Sequence, residues 1–402
     1  MTAAAARVDE RIAAQFTPAD RQFLLDLRRA LHQSPELAWN EHGTRDRLHA
    51  ALVACGITDI TVVAGTGLVA RIPGERASLG GPAVAVRGDI DALPITEETG
   101  LPFASGTPGV MHACGHDMHA TWAVGAGMLL ARSRAVGEVR VVLQPAEEVG
   151  QGAARVLESG ALDGVAAIFG AHVDWRYSVG EVVADAGPLA ASTDTFEIVF
   201  HGRGGHGARP HDTIDPVVGL GAFIGDVQTI VSRRLDPSLP GVISVGMVQA
   251  GNAANVIPET ARCGGTVRAT TADSRALLLE ELQRLAHAVA ATHRLTATVV
   301  ISEGTPPLVN TARGAAWAQL AARGLLGEAS LRSLATANMG GEDFSYYLER
   351  MDGCFMRLGT WSEGRSRSGV HTPRFDPDEQ ALFVGAALLA ECARTASTAL
   401  HG

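Results

Sequence analysis

Hydrophobic positions along the first half of the chain fall into two kinds of run. Phe23, Leu24, Leu27 and Leu31 recur at helical spacing, and the stripe stops before Pro35. The spacing predicts a helix over 19–33 and a second over 43–55 that ends at Gly56. Short apolar runs then predict strands over 60–63, 68–72 and 83–86. A helix over 121–132 follows, then a strand over 138–143, a helix over 152–158 and a strand over 165–169. Strands alternating with helices in this way argue for a layered α/β sheet.

The pattern changes near residue 187. Strands are predicted over 194–202, 241–249, 259–268 and 295–301, with helices over 216–234 and 273–293. That βαββαβ order is the ferredoxin-like arrangement, complete within one small domain, and it reads as an insertion. The expected organisation is therefore a doubly wound mixed-sheet domain (1–186 and 304–402) interrupted by a ferredoxin-like domain (187–303). Past the insertion come a helix over 312–326, a strand over 353–358 and a final helix. Asp376 as N-cap, Pro377 at the first position and Glu379 as the reciprocal partner predict a capping box for that helix.

Polar residues are not scattered over this pattern. Asp89 and Asp91, Glu147 and Glu148, and His172 each follow the carboxyl end of a predicted strand, the edge at which open α/β sheets form ligand sites. Val110–Ala120 reads Val-Met-His-Ala-Cys-Gly-His-Asp-Met-His-Ala, with three histidines, a cysteine and an aspartate in one short stretch. Taken singly, a buried cysteine is a small hydrophobe and an aspartate in a turn is ordinary. Together, Cys114, His116, Glu148, His172 and His371 offer thiolate, imidazole and carboxylate donors. Five donors exceed one closed tetrahedral site but suit two metals that share a water and keep open positions for substrate. Glu147, beside a ligand but facing elsewhere, could take that water's proton and hand it to a leaving amine, a hydrolase design.

Composition narrows the field. The 402 residues favour two domains; 46% hydrophobic and 19% charged residues make the chain globular rather than disordered. A formal charge of −10 with no basic run argues against nucleic acid or an anionic membrane as partner. All 33 basic residues are arginine. The absence of lysine excludes Schiff-base chemistry, pyridoxal phosphate anchoring and a Gly-Lys-Ser/Thr phosphate loop. Five scattered cysteines imply no disulfide framework and a reducing compartment. Met1–Phe16 carries charges where a signal peptide needs an apolar core, and no apolar run approaches the ~20 residues of a membrane span. A cytoplasmic protein is expected.

Further blocks carry a family resemblance: Arg87-Gly88-Asp89-Ile90-Asp91-Ala92-Leu93-Pro94-Ile95, Met111–His119 and Gln144–Glu148, then Gly204-Gly205-His206, Asn255-Val256-Ile257-Pro258, Gly341-Glu342-Asp343-Phe344 and His371-Thr372-Pro373-Arg374-Phe375. Nearly end to end, the chain resembles the dinuclear metallo-amidohydrolases that include hippurate hydrolase, N-acyl-amino-acid aminoacylases and plant auxin-conjugate hydrolases. These sit within the wider glutamate carboxypeptidase and aminoacylase family. The resemblance implies two divalent ions per subunit (zinc, manganese or cobalt) on Cys114, His116, Glu148, His172 and His371, with Glu147 as general acid/base. It implies that Asp91 orients the site and that His206, on a lid domain, reaches the partner subunit's site to polarise the substrate carbonyl. Asn255 and Arg268 would contact substrate, and the lid would make a homodimer or larger homo-oligomer. An N-acyl amino acid is the implied substrate, with a dipeptidase, aminopeptidase or other C–N hydrolase as the competing reaction. Met118, Ala120, Gly207 and the Val-Asp-Trp-Arg-Tyr-Ser run after His172 depart from the family pattern but remove no ligand. A cysteine hydrolase built on Cys114 and His116 would leave Glu148, His172 and His371 unexplained. A binding protein on the same fold would have no use for Glu147 beside a full ligand set.

Overall fold

A computed structural model of the chain describes residues 10–12, 14–76 and 80–402. Of the Met1–Phe16 stretch, residues 1–9 and 13 lie outside the described residues. Helix α1 (Pro18–Gln33) starts from a capping box: Thr17 Oγ1 accepts the Asp20 amide, and the Asp20 carboxylate accepts the Thr17 amide. Then come α2 (His42–Ala54), β1 (Ile60–Val63), β2 (Gly67–Ile72), β3 (Ala83–Asp89), α3 (His116–Arg132) and β4 (Val139–Gln144). They lead to α4 (Gly152–Glu158), β5 (Val165–Ser178) and β6 (Val182–Val183). The chain continues through β7 (Asp194–His201), α5 (Pro216–Asp226), α6 (Gln228–Arg233), β8 (Gly241–Ala250), β9 (Thr260–Ala269), α7 (Ala272–Thr292) and β10 (Thr296–Ser302). It closes with α8 (Ala312–Leu326), β11 (Leu331–Arg332), β12 (Asp352–Trp361) and α9 (Ala381–His401).

These elements form two compact units. One holds the described residues up to Gly187 with Asn310–Ala335 and Asp343–Gly402; the other holds Pro188–Val309 and Thr336–Glu342. The first is built on an eight-stranded mixed sheet in the order β1-β2-β4-β3-β5-β12-β6-β11, whose neighbours β4, β3, β5 and β12 run parallel. Every residue of β3 and β4 is buried, as expected of central strands covered on both faces. Helix α3 is buried from His116 through Leu130, and its Trp122 donates Nε1–H to the Ala381 carbonyl at the start of α9. The second unit has the antiparallel strand order β10-β7-β9-β8, that is 4-1-3-2 of a βαββαβ run. Along β7 Asp194, Phe196, Ile198 and Phe200 are buried in alternation, three of them against Phe223, Leu278 and Leu282 of the helices.

Four expectations change. Helix α3 begins at His116 rather than at residue 121, because Gly115 takes a left-handed conformation (φ 82°) and starts the helix inside the Cys/His stretch. Strand β5 runs on to Ser178, so His172 lies within a strand and not beyond its end. Its polar residues stay paired because β12 runs beside it from Ala167 to Ser178, with His172 opposite Arg357. The helix expected over 216–234 is two helices, α5 and α6, meeting at Val227. No capping box forms at 376–379. Helix α9 starts at Ala381, and Glu379 instead binds the Arg29 guanidinium at 2.9 and 2.6 Å. A bidentate arginine holds a carboxylate more firmly than one backbone amide does.

Candidate metal centre

The parallel strands deliver the site at their carboxyl ends. β3 ends at Asp89 and places Asp91 just beyond, while β4 ends at Gln144 and turns through Ala146, which sits in the left-handed region (φ 54°). A buried Glu41 carboxylate, itself accepting the Thr66 hydroxyl, takes the Ala146 amide at 2.9 Å and holds that turn. The next two amides then point at one acceptor: Glu147 N–H reaches Asp91 Oδ1 at 3.0 Å and Glu148 N–H reaches Asp91 Oδ2 at 2.9 Å. On the other side, a Cβ on Gly115 would lie 2.8 Å from Val173 Cγ2, so only glycine lets the Cys114–His116 turn close on β5.

Cys114 is the hub. Its Sγ lies 3.3 Å from His172 Nε2 and 3.3 Å from His371 Nε2, and the latter is 3.4 Å from Glu148 Oε1. His116 Nε2 stands 3.8 Å from both Glu147 Oε2 and Glu148 Oε1, and its Nδ1 faces Asp91 Oδ1 at 3.2 Å. Donor atoms within 4.8 Å of one another form the groups Cys114/His116/His172, Cys114/Glu148/His371 and His116/Glu147/Glu148. All five expected ligands are thus brought together, with Glu147 and Asp91. The neighbouring glutamates do not diverge as simple sequence adjacency suggests, since both reach toward the same imidazole nitrogen. Their other contacts separate them: Glu147 Oε1 accepts the Asp343 amide at 3.4 Å, whereas Glu148 Oε1 is buried without a hydrogen-bond partner.

That last atom, with the equally unpartnered and buried His116 Nε2, is the physical argument for a cation. Orphaned buried polar atoms are costly unless something pairs with them, and here both belong to residues of metal-ligating type. Burial pushes His172 well below the ordinary histidine range, leaving a neutral ring whose Nδ1–H donates to Val173 O at 2.8 Å and whose Nε2 faces Cys114. Burial raises the Cys114 thiol, and Glu148 adds to this. His371 is raised to about 10 by the Cys114 sulfur and the Glu148 carboxylate that face its Nε2. For His116, burial is outweighed chiefly by the Asp89 carboxylate and the value is raised. A divalent cation would displace these protons.

Residues the sequence reading left out of the site support it from behind. Arg87 ion-pairs with Asp89 and lies 3.1 Å from Asp343, its Nε–H donates to Gln144 at 2.8 Å, and His119 Nδ1 lies 2.7 Å from Asp89 Oδ1. The signal available for His119 was its i, i+3 spacing from His116, which puts both on one face of α3. In the second unit, a two-residue ladder pairs His206 with Val256, and Gly207 N–H donates to Asn255 O at 2.8 Å. His206 and Asn255 are exposed neighbours there, while Arg268 is half-buried on β9 opposite Val242.

Fold and site together define a metal-dependent hydrolase of C–N bonds. The chain belongs to peptidase family M20/M25/M40, whose family model matches residues 85–395. It is 41% identical over 384 residues to the N-acetylcysteine deacetylase of Bacillus subtilis (strain 168), covering 93% of this chain and 98% of that one. It is 38% identical over 384 residues to the IAA-amino acid hydrolase ILR1-like 2 of Arabidopsis thaliana, covering 94% and 86%. The crystal structure of Bacillus subtilis YXEP protein, a dinuclear metal binding peptidase of the M20 family, superposes with a TM-score of 0.83 at 37% identity, covering 96% and 99%. Among the described residues no helix is long and apolar enough to cross a membrane.

Proposed function

We propose that the protein hydrolyses the amide bond of N-acyl amino acids, using two divalent ions held by Cys114, His116, Glu148, His172 and His371. The observation that carries this reading is the pair of consecutive glutamates hung by their amides from Asp91 beside a Cys/His donor set. Zinc, manganese or cobalt bound there would supply Lewis acidity toward the substrate carbonyl and make water a stronger nucleophile. Glu147 takes the proton of the attacking water, oxygen adds to the carbonyl carbon, and Glu147 returns the proton to nitrogen as the C–N bond breaks. The products are a carboxylate and a free amino acid. Asp91 holds His116 by Nδ1 and both glutamates by their amides. His206 stabilises the developing oxyanion in the partner subunit's site. Asn255 contacts the substrate, and Arg268 takes its carboxylate, for which a planar guanidinium suits an acidic protein. The second unit is the lid and makes the homodimer. Five free cysteines support a cytoplasmic setting.

The relatives' names support N-acetyl and arylacetyl amino acids as the substrates to try first. The deciding assay uses chelator-treated protein reconstituted with zinc, manganese or cobalt. N-acetyl, N-benzoyl and arylacetyl amino acids are compared with free-amine dipeptides. Metal-restored activity with the larger kcat/KM on the N-acyl compounds is expected. A larger kcat/KM on dipeptides would make the protein a dipeptidase instead.

A further inference from the structure

His119 belongs to the Cys/His stretch but not to the five-donor set, and it is fully buried in the first turn of α3. It sits there because Gly88 of β3 has no side chain; a Cβ at that position would lie 2.3 Å from the His119 carbonyl oxygen. Pairing between β3 and β5 ends at Arg87 opposite Gly170. Three residues further along β5, Val173 gives its N–H to His119 Nε2 at 2.9 Å. An imidazole nitrogen that accepts carries no proton, so the single N–H of His119 is at Nδ1, where it donates to Asp89 Oδ1 at 2.7 Å. Asp89 is held as a carboxylate by its ion pair with Arg87.

The other polar group of Val173 is also engaged. Its carbonyl accepts Nδ1–H of His172 at 2.8 Å, and that bond turns His172 Nε2 toward Cys114 Sγ. The two rings meet edge-on, 4.7 Å between centroids. A histidine ligand needs its second nitrogen fixed for its first to aim correctly. Here the carbonyl that fixes it belongs to a residue that is itself tethered through its N–H.

We propose that His119 is a positioning residue for the metal centre: as the Nδ1–H tautomer set by Asp89, it anchors the Val173 backbone and so directs the Nε2 lone pair of His172. Arg87, Asp89, His119, Val173 and His172 form one chain of polar contacts from the sheet to the donor set. The inference rests on His172 being a metal ligand, which cobalt titration of the wild type tests by itself.

The experiment titrates cobalt into chelator-treated protein by calorimetry and records its visible spectrum, for the wild type and three variants. In His119→Gln the side-chain carbonyl can stand where Nε2 stood and accept from Val173. In His119→Asn an amide N–H can stand where Nδ1 stood and satisfy Asp89, but nothing accepts from Val173. His119→Phe keeps the volume and neither bond. Expected are near-normal cobalt affinity for His119→Gln, and affinity lower by ~10–100-fold for His119→Asn and His119→Phe, the usual cost of losing a group that orients a ligand. The cobalt ligand-field bands should shift in the latter two, while the thiolate charge-transfer band of Cys114 persists in all. Should His119→Phe not fold, the Gln and Asn pair decides alone, with matched thermal unfolding of the metal-free forms as the control. Equal affinities for Gln and Asn, or wild-type affinity in Asn, would overturn the proposal. Wild-type protein that takes up no cobalt would overturn the metal reading and this inference with it.

Discussion

Asp91 and His116 are joined at 3.2 Å between Oδ1 and Nδ1, and the same carboxylate accepts the backbone amides of Glu147 and Glu148 at 3.0 and 2.9 Å. One side chain thus orients an imidazole donor and fixes where two acidic side chains leave the backbone. Asp91→Asn keeps the shape but replaces one acceptor oxygen with a donor that opposes an amide N–H. Cobalt or zinc affinity should fall by ~10–100-fold, with a parallel loss of turnover at limiting metal. Calorimetric titration of metal into the chelated variant checks this, and unchanged affinity would remove Asp91 from the orienting role.

Glu147 and Glu148 should separate under the same substitution. Glu147→Gln should keep its metal content and lose ~10²–10⁴-fold in kcat, the range for removal of a general acid/base. Glu148→Gln removes a buried carboxylate whose Oε1 accepts no hydrogen bond, and should lose metal. Elemental analysis beside steady-state kinetics distinguishes the two. Glutamine variants that are both metal-replete and active would refute the assignment.

The role proposed for His206 has a complementation test. Glu147→Ala and His206→Ala proteins should each be nearly inactive, the latter by ~10²–10³-fold for loss of an oxyanion donor. Refolding them together should restore activity, because a mixed dimer holds one site with both residues intact. Differently tagged chains establish that heterodimers form. Heterodimers without activity would confine His206 to its own subunit or to no catalytic role.

Glu97 gives a pH prediction away from the metal. Its carboxylate is buried and accepts from Ser105 N–H at 2.7 Å, from the Thr99 hydroxyl and from His32 at 3.3 Å. Burial alone would raise its pKa, but these partners hold it at about 2, against an ordinary 4.5. A folded-state value below the unfolded one stabilises fully above about pH 4.5 and is lost as pH falls toward 2. Glu97→Gln should therefore cost roughly 1.5–3 kcal/mol at neutral pH, as for a lost hydrogen bond to a charged group. The gap to wild type should close between pH 4.5 and 2. Urea unfolding at a series of pH values measures it; a gap independent of pH would contradict the charged network.

Local pattern carried the strands and helices well where it had a clear period. The strand over 60–63 and the helices over 152–158 and 312–326 have the bounds read from the sequence. It misjudged elements whose residues are chosen for chemistry. Asp117, the histidines and Gly115 at the head of α3 are weak helix formers, and Gly170-Ala171-His172 in β5 looks like a turn. Both are ordinary secondary structure because burial and a long neighbouring strand override local preference. The same cause hid the true partner of Glu379, since no spacing rule links it to Arg29, 350 residues away in sequence.

By itself the sequence determined the chemistry available: which donor types exist, that lysine chemistry is absent, and that the acidic pairs and the Cys/His stretch fall near strand ends. Those follow from composition and from periods of two and 3.6, which are local properties of the chain. Tertiary structure alone decided which atoms meet. Cys114 lies between His172 and His371 only because β5, the head of α3 and the segment after β12 converge. His119 grips Val173 only because Gly88 lets α3 close on β3. Contacts between residues tens to hundreds of positions apart depend on packing of whole elements, and no window along the chain contains them.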